Sequence, residues 1–279
     1  MSDLLRRDWW SDARHYQIAA LSTLLVYNLG WLDFGARPLY SAPAIAAALA
    51  TQALCTWWFS LPAFDPRSPL ITGLSLSLLL RADEPWLFAL AAVIAIGSKF
   101  VLRIDGKHIW NPAGFAIVVL LFTAKNQVWI SPGSWGSHVW FAALLVFFAI
   151  LVLGAARRSD IAIFFLGTHA ALLLARALWL GDPLAIPAHQ LQSGSLLIFT
   201  FFMISDPRTS PDSRLGRFIF AASVACAAHY MAFFMQMRPA PYIALIALAP
   251  FVILIDRFLP ARRFTWTGAP PPTLQGAAQ

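Results

Sequence analysis

The residues best placed to do chemistry fall in three short stretches. The first is Ser98 to Phe115, SKFVLRIDGKHIWNPAGF, which gathers Lys99, Arg103, Lys107, His108 and Asn111. Asn111 stands before Pro112, a helix-start pair: Asn caps, and proline at the first helical position costs no hydrogen bond. A helix starting there aims its positive end at whatever occupies the space before it. Lys99 and Arg103, four apart, share one helical face. Two readings fit these cations: an anion or phosphate subsite facing a cofactor or headgroup, or a cytoplasmic loop with ordinary topogenic charge. Lys99 lies deeper in an apolar run, where a charge is expensive, so for it the first reading weighs more.

The second stretch is Phe201 to Arg217, FFMISDPRTSPDSRLGR, with Ser205, Asp206, Arg208 and Thr209. Asp206–Pro207 stops one helix, and Ser210–Pro211 starts the next with Asp212 in its first turn. Asp206 is expected to pair with Arg208, Arg214 or a backbone end. The plain alternative is a stop and restart between helices. The third set is a pair of short-helix starts, Ser68, Thr72 and Gly73 in one half of the chain and Ser193, Gly194 and Ser195 in the other. Ser68 before Pro69 and Ser193 before Gly194 are the expected caps. His169 and His229 lie inside apolar runs and read as hydrogen-bonded to neighbours; no spacing supports haem. Cys55 and Cys226 read as small core residues. No nucleophile–base set, phosphate-binding glycine loop or metal-ligand spacing appears, so no catalytic residue is assigned.

The elements that must position these residues are membrane helices. Hydrophobic residues make up 59% of the 279 and charged ones 12%, against roughly 25% charged in a soluble domain. That excludes a soluble enzyme. Ten apolar segments are expected, with cores at 13–31, 41–61, 68–80, 85–102, 109–123, 136–155, 160–180, 193–205, 216–236 and 241–257. About 20 residues cross a bilayer, so the third, fifth and eighth are half-spanning. Two of these resemble each other: Thr72 to Pro85, TGLSLSLLLRADEP, and Ser193 to Pro207, SGSLLIFTFFMISDP. Such paired short segments in matching halves point to an inverted repeat with its site near the midplane. Five segments per half put the second half in the opposite orientation.

Charge is an independent guide. With the N-terminus inside and loops assigned alternately, 14 of the 20 Lys and Arg fall inside. Arg37, Arg81, Lys125 and Arg238 fall outside, and Lys99 and Arg176 within spans. The imbalance places both termini in the cytoplasm. It also explains the net charge of +7 without nucleic acid. The expected organisation is a cytoplasmic or interfacial N-terminus (1–12), a membrane domain (13–258, repeats about 13–133 and 134–258) and a disordered cytoplasmic tail (259–279). The fold class is all-α integral membrane, about ten transmembrane or half-spanning helices in two inverted five-helix repeats.

Two motifs carry a family resemblance over approximately residues 15–260. GKHIWNPAGFAIV, residues 106–118, resembles the G-[KR]-H-hydrophobic-aromatic-N-P-A stretch of the NqrB/RnfD membrane subunits. FMISDPRTSP, residues 202–211, is similar to their F-M-x-[ST]-D-P-x-[ST]-[ST]-P stretch. SKFVLR, residues 98–103, fits just upstream. The short RnfD-like proteins, including UnbU-like ones of enediyne clusters, are the nearest subset. The resemblance implies a urea-transporter-like fold in a bacterial plasma (inner) membrane. It implies a place in membrane electron transport or coupled ion transport, with a flavin or quinone and other complex subunits or a homo-oligomer as partners. The family attaches FMN to a threonine in an S-G-A-T motif. No SGAT occurs here, and the loop Lys125 to His138 holds no threonine, so a non-covalent flavin (FMN or riboflavin) is expected instead. The runner-up functions are a channel or transporter for a small solute through a central cavity, with Ser68, Thr72, Ser193 and Ser195 at its site, and a non-catalytic accessory protein of a biosynthetic pathway.

Overall fold

The computed structural model describes residues 12–30, 38–104, 106–131 and 139–264. The interfacial N-terminal stretch before Asp12, the end of the Lys125 to His138 loop and the tail after Phe264 lie outside the described residues.

Each of the ten apolar segments coincides with a helix or a broken helix. In order they are α1 (Ala13–Gly30), α2 (Pro38–Trp58), α3 (Arg67–Leu79), α4 (Pro85–Val101), α5 (Pro112–Thr123), α6 (Val139–Ala156), α7 (Ser159–Leu180), α9 (Gly194–Ile198), α10 (Arg214–Phe233) and the pair α11 (Ala240–Leu248) and α12 (Phe251–Phe258). A short α8 (Ala185–Leu191) precedes α9, and α9 runs straight into a π-helical turn, Phe199–Met203. Strands are vestigial: β1 (Leu80–Ala82) pairs antiparallel with β4 (Val128–Ile130), and β2 (Arg103–Ile104) with β3 (Lys107–His108).

Among the described residues, α2, α7 and α10 are long and apolar enough to cross a bilayer, and α11 with α12, bent by 52°, forms a fourth candidate. The outward faces of the helices agree with lipid. Val26, Ile150, Ile163 and Leu178 all point outward, each more than 60% exposed, a pattern that water would penalise. The chain is therefore a helical membrane protein.

The short helices sit inside this shell. From Thr72 to Leu79 every residue of α3 is buried, so it is enclosed on all sides by protein rather than lipid. Its unwound end needs backbone partners there. The β1–β4 ladder supplies them, with Leu80 opposite Ile130 and Ala82 opposite Val128, and Ser131 N–H donates to Leu79 C=O at 2.8 Å. On the other side of the core Phe165, Phe199 and Tyr242 pack in a row, ring centres 5.2 and 5.0 Å apart. These rings tie α7, the π turn and α11 together.

Gly73 serves this packing. A Cβ there would lie 2.9 Å from the Ile45 Cα of α2. The residue allows close helix approach, and its neighbour Thr72 lines a cavity. Gly73→Ala is expected to destabilise the protein by about 1–3 kcal/mol. Gly97→Ala, with open space around it, should be neutral or stabilising by up to about 1 kcal/mol. Thermal melts of the two purified variants test the contrast.

Several local expectations are corrected. Ser68 does not cap α3; the helix begins at Arg67, because the Asp65 carboxylate accepts from the Arg67 N–H at 3.0 Å. The restart after Asp206 falls at Arg214, capped by Ser213, whose Oγ accepts from Gly216 N–H at 3.0 Å. Ser210–Pro211 precedes that start. Cys226 is exposed and Cys55 only partly covered, so neither is a core residue. Asp12, placed in the interfacial segment, is 2% exposed.

Candidate functional site

A cavity of about 190 Å³ lies where the starts of α3 and α5 meet the end of the π turn. Ser68, Ile71, Thr72 and Ser75 come from α3, Lys99 and Phe100 from α4, Asn111 to Ala113 from the start of α5, and Phe202, Met203 and Asp206 from the opposite half. The two motif stretches, about a hundred residues apart in sequence, thus share one wall.

Asn111 performs the role its type implies. Its Oδ1 accepts from Gly114 N–H at 3.0 Å, capping α5. Its Nδ2 donates to Asp206 Oδ2 at 3.3 Å, joining the two motifs directly. Asp206 Oδ1 accepts from the Arg208 backbone N–H at 3.0 Å. Burial pushes the Asp206 carboxyl up, while those hydrogen bonds and the charges of Arg208 and Lys99 oppose the rise.

Lys99 is 6% exposed. Its Nζ donates to Ser68 Oγ at 2.7 Å and to Gln52 Oε1 at 3.5 Å. Among the described residues no carboxylate forms an ion pair with it. Arg103 Nε donates to the Lys99 carbonyl, one turn back as the spacing implies. His108 is buried beside them, and its Nδ1 has no hydrogen-bond partner among the described residues. Burial, followed by the charges of Arg208, Arg103 and Lys99, pushes its pKa down to about 3, so the imidazole is neutral. Just before it, Gly106 sits at φ +73°, a conformation glycine adopts without strain.

Of the nine residues expected to bind a cofactor or anion, Lys99, Arg103, His108, Asn111, Asp206 and Arg208 line the cavity. Lys107, Ser205 and Thr209 do not. Lys107 is held by Asp256 at 2.6 Å and Asp212 at 3.3 Å, with Ser210 C=O as a further acceptor. Ser205 Oγ donates to Phe201 C=O, one turn back, at 2.6 Å. Thr209 Oγ1 reaches its neighbour Asp206 C=O at 3.5 Å. These three groups hold the loop together. The solute candidates also divide: Ser68 and Thr72 line this cavity, while Ser193 and Ser195 line another. Gly194 is buried at the start of α9, where Ser193 Oγ accepts from Leu196 N–H at 3.5 Å.

The cavity also contains Arg14, Gln17, Gln52 and Asp65, which sequence reasoning does not select. Gln52 carries a signal, a polar amide in an otherwise apolar run. Arg14 and Asp65 carry none. They belong to an ion cluster in which Asp12 pairs with Arg14 at 2.6 Å and Arg67 at 2.8 Å, and Asp65 pairs with the same two arginines at 2.8 Å each.

Fold and site together define a helical membrane protein whose short inner helices frame a cation-rich polar cavity. Residues 128–265 match the model of the NQR2, RnfD, RnfE family. The chain is also 28% identical to a subunit of the ion-translocating oxidoreductase complex of Stutzerimonas stutzeri, a match covering 81% of this chain and 86% of that protein. Both matches are to the RnfD/NqrB family of membrane subunits, which the chain resembles.

Proposed function

We propose that this chain is a membrane subunit of an ion-translocating electron-transport complex, and that the α3–α5 cavity holds the head of a non-covalent flavin or a quinone. The observation that carries the reading is the convergence of Lys99, Arg14, Arg103 and Arg208 on one cavity, against two acids, Asp65 and Asp206. A redox head that gains negative charge on reduction is stabilised by such a surplus of fixed cations, and more so away from bulk water. Phe100 and Phe202 add aromatic side chains to the lining. The unpartnered His108 Nδ1 offers one further hydrogen-bonding position.

Size narrows the reading. A cavity of about 190 Å³ is smaller than the ~300–1,000 Å³ of a site that encloses a whole cofactor. It fits a quinone ring or the polar end of an isoalloxazine, with the remainder outside its mouth. When bound, the group would accept and release electrons. Lys99, Asn111 and Asp206 orient it, and Phe202 and Met203 keep water from one side.

The same proposal includes the inverted repeat, with ten crossing or half-crossing segments and both termini in the cytoplasm of a bacterial inner membrane. The pair α2 and α4 packs closely, as does the pair α7 and α10 at corresponding places. The short α3 and α5 correspond to α9 and α11. Partners would be the other subunits of such a complex, as the name of the Stutzerimonas relative indicates for that protein. A solute channel through one central cavity is less well supported, because Ser68 and Thr72 line one cavity and Ser193 and Ser195 a separate one.

The test is the visible spectrum and lipid-soluble extract of protein purified in detergent. Flavin or quinone at close to one per chain is expected. A protein carrying neither, and binding neither when titrated, sinks the reading; solute flux in liposomes would then favour the channel.

A further inference from the structure

A second cavity, of about 680 Å³, lies among other elements. It is bounded by the starts of α9 and α11, much as the first is bounded by the starts of α3 and α5. Ser193 and Ser195 mark one start, Pro239 and Tyr242 the other, with Trp129 and Ser131 from β4 and its end. Tyr242 O–H donates to Ser195 C=O at 3.2 Å, fixing the two starts together.

Two polar groups in its wall have no partner among the described residues. Ser131 is 1% exposed, and its Oγ makes no hydrogen bond. His169 Nδ1 is likewise buried without one, in a ring held by stacking on Phe165 at 5.6 Å. Both residues line the cavity, and a buried polar atom without a partner is destabilised until a hydrogen-bonding group reaches it. Among the described lining residues Arg238 is the one charged side chain, and no carboxylate accompanies it. The remaining wall is apolar and partly aromatic: Trp129, Leu173, Phe233 and Tyr242.

From this inventory we infer that the second cavity is a separate binding site for an aromatic organic monoanion, with its carboxylate at Arg238 and its polar edge on Ser131 and His169. One cation and no acid select a single negative charge. The volume admits a fused-ring body, which the first cavity does not. The inference does not depend on the redox reading of the first cavity, because the two linings share no residue.

Fluorine NMR of a fluorinated naphthoate, titrated into the full chain in lipid nanodiscs, tests it. Saturable binding is expected, weakened about ten- to a hundredfold by Arg238→Gln, which removes a charge-assisted hydrogen bond. Ser131→Ala should weaken it by a smaller factor. Lys99→Met should leave it unchanged, and the matching neutral naphthyl alcohol should bind far more weakly. Signals identical to those of empty nanodiscs would overturn the inference. So would binding insensitive to Arg238→Gln and Ser131→Ala, or binding lost in Lys99→Met alone, which would place the anion in the first cavity.

Discussion

A Lys99→Met variant is expected to lose its bound redox group while folding at least as well as the parent protein. The two halves of that expectation have one cause. Lys99 is 6% exposed, and among the described residues its ammonium is satisfied by Ser68 Oγ and the Gln52 amide oxygen. Taking a charge out of water is costly, and a methionine of similar length removes that cost, so the fold gains or stays level. The ligand, in contrast, loses a charge-assisted hydrogen bond of roughly 1.5–3 kcal/mol, about ten- to a hundredfold in affinity. Flavin or quinone content after purification, set beside the melting temperature, separates the outcomes. A drop in content at unchanged or higher melting temperature supports the assignment. A drop in melting temperature with content unchanged would make Lys99 a structural residue and move the site elsewhere.

What can be read from sequence follows the range of the interactions involved. Asn111–Pro112 is legible because capping is decided within four residues, and the cap forms as expected. The apolar segments are legible because hydropathy is summed over many residues. The start of α3 is displaced by two residues for a local reason: Asp65 offers a carboxylate to the Arg67 N–H, which outcompetes a Ser68 hydroxyl and frees that hydroxyl for Lys99. Lys107 departs from expectation for a distant one. Its place beside His108 looks like part of the cation group, but Asp212 and Asp256, over a hundred residues on, neutralise it. Arg14 and Asp65 escape notice because neither lies in a motif, and their meeting depends on how α1 is laid against the loop before α3. Pairing of remote charges is a property of the packed helices.

That meeting point underlies the second large effect, the loss of stability in Asp12→Asn and at low pH. Asp12 is 2% exposed and accepts hydrogen bonds from Arg14 Nε and Nη2 and from Arg67 Nη1. Removing its charge leaves two arginines to share the half-buried Asp65. Breaking a buried ion network from one side costs about 3–5 kcal/mol, so Asp12→Asn should melt well below the parent. Because Arg14 and Asp65 also line the first cavity, ligand binding should weaken with it. Acid should act on the same groups. Burial alone would raise the Asp65 carboxyl, but hydrogen bonds from Arg67 and the charges of Arg14 and Arg67 hold it down to about 2. The Asp12 carboxyl is likewise lowered, against its burial, by hydrogen bonds from Arg14 and the charges of Arg14 and Arg67. A carboxylate whose pKa is depressed in the folded state contributes its full stability above the unfolded value, 3.8 for both. That contribution is lost as the pH falls toward the folded value. The cluster's contribution should therefore be flat from neutral pH to about 4 and decline from there toward about 2. In Asp12→Asn the decline should be shallower, since one of the two titrating carboxylates is gone. Melting temperatures of both proteins across that range test the assignment: parallel curves would mean that the acid sensitivity lies in other carboxylates and that the Asp12 cluster does not clamp α1 to α3.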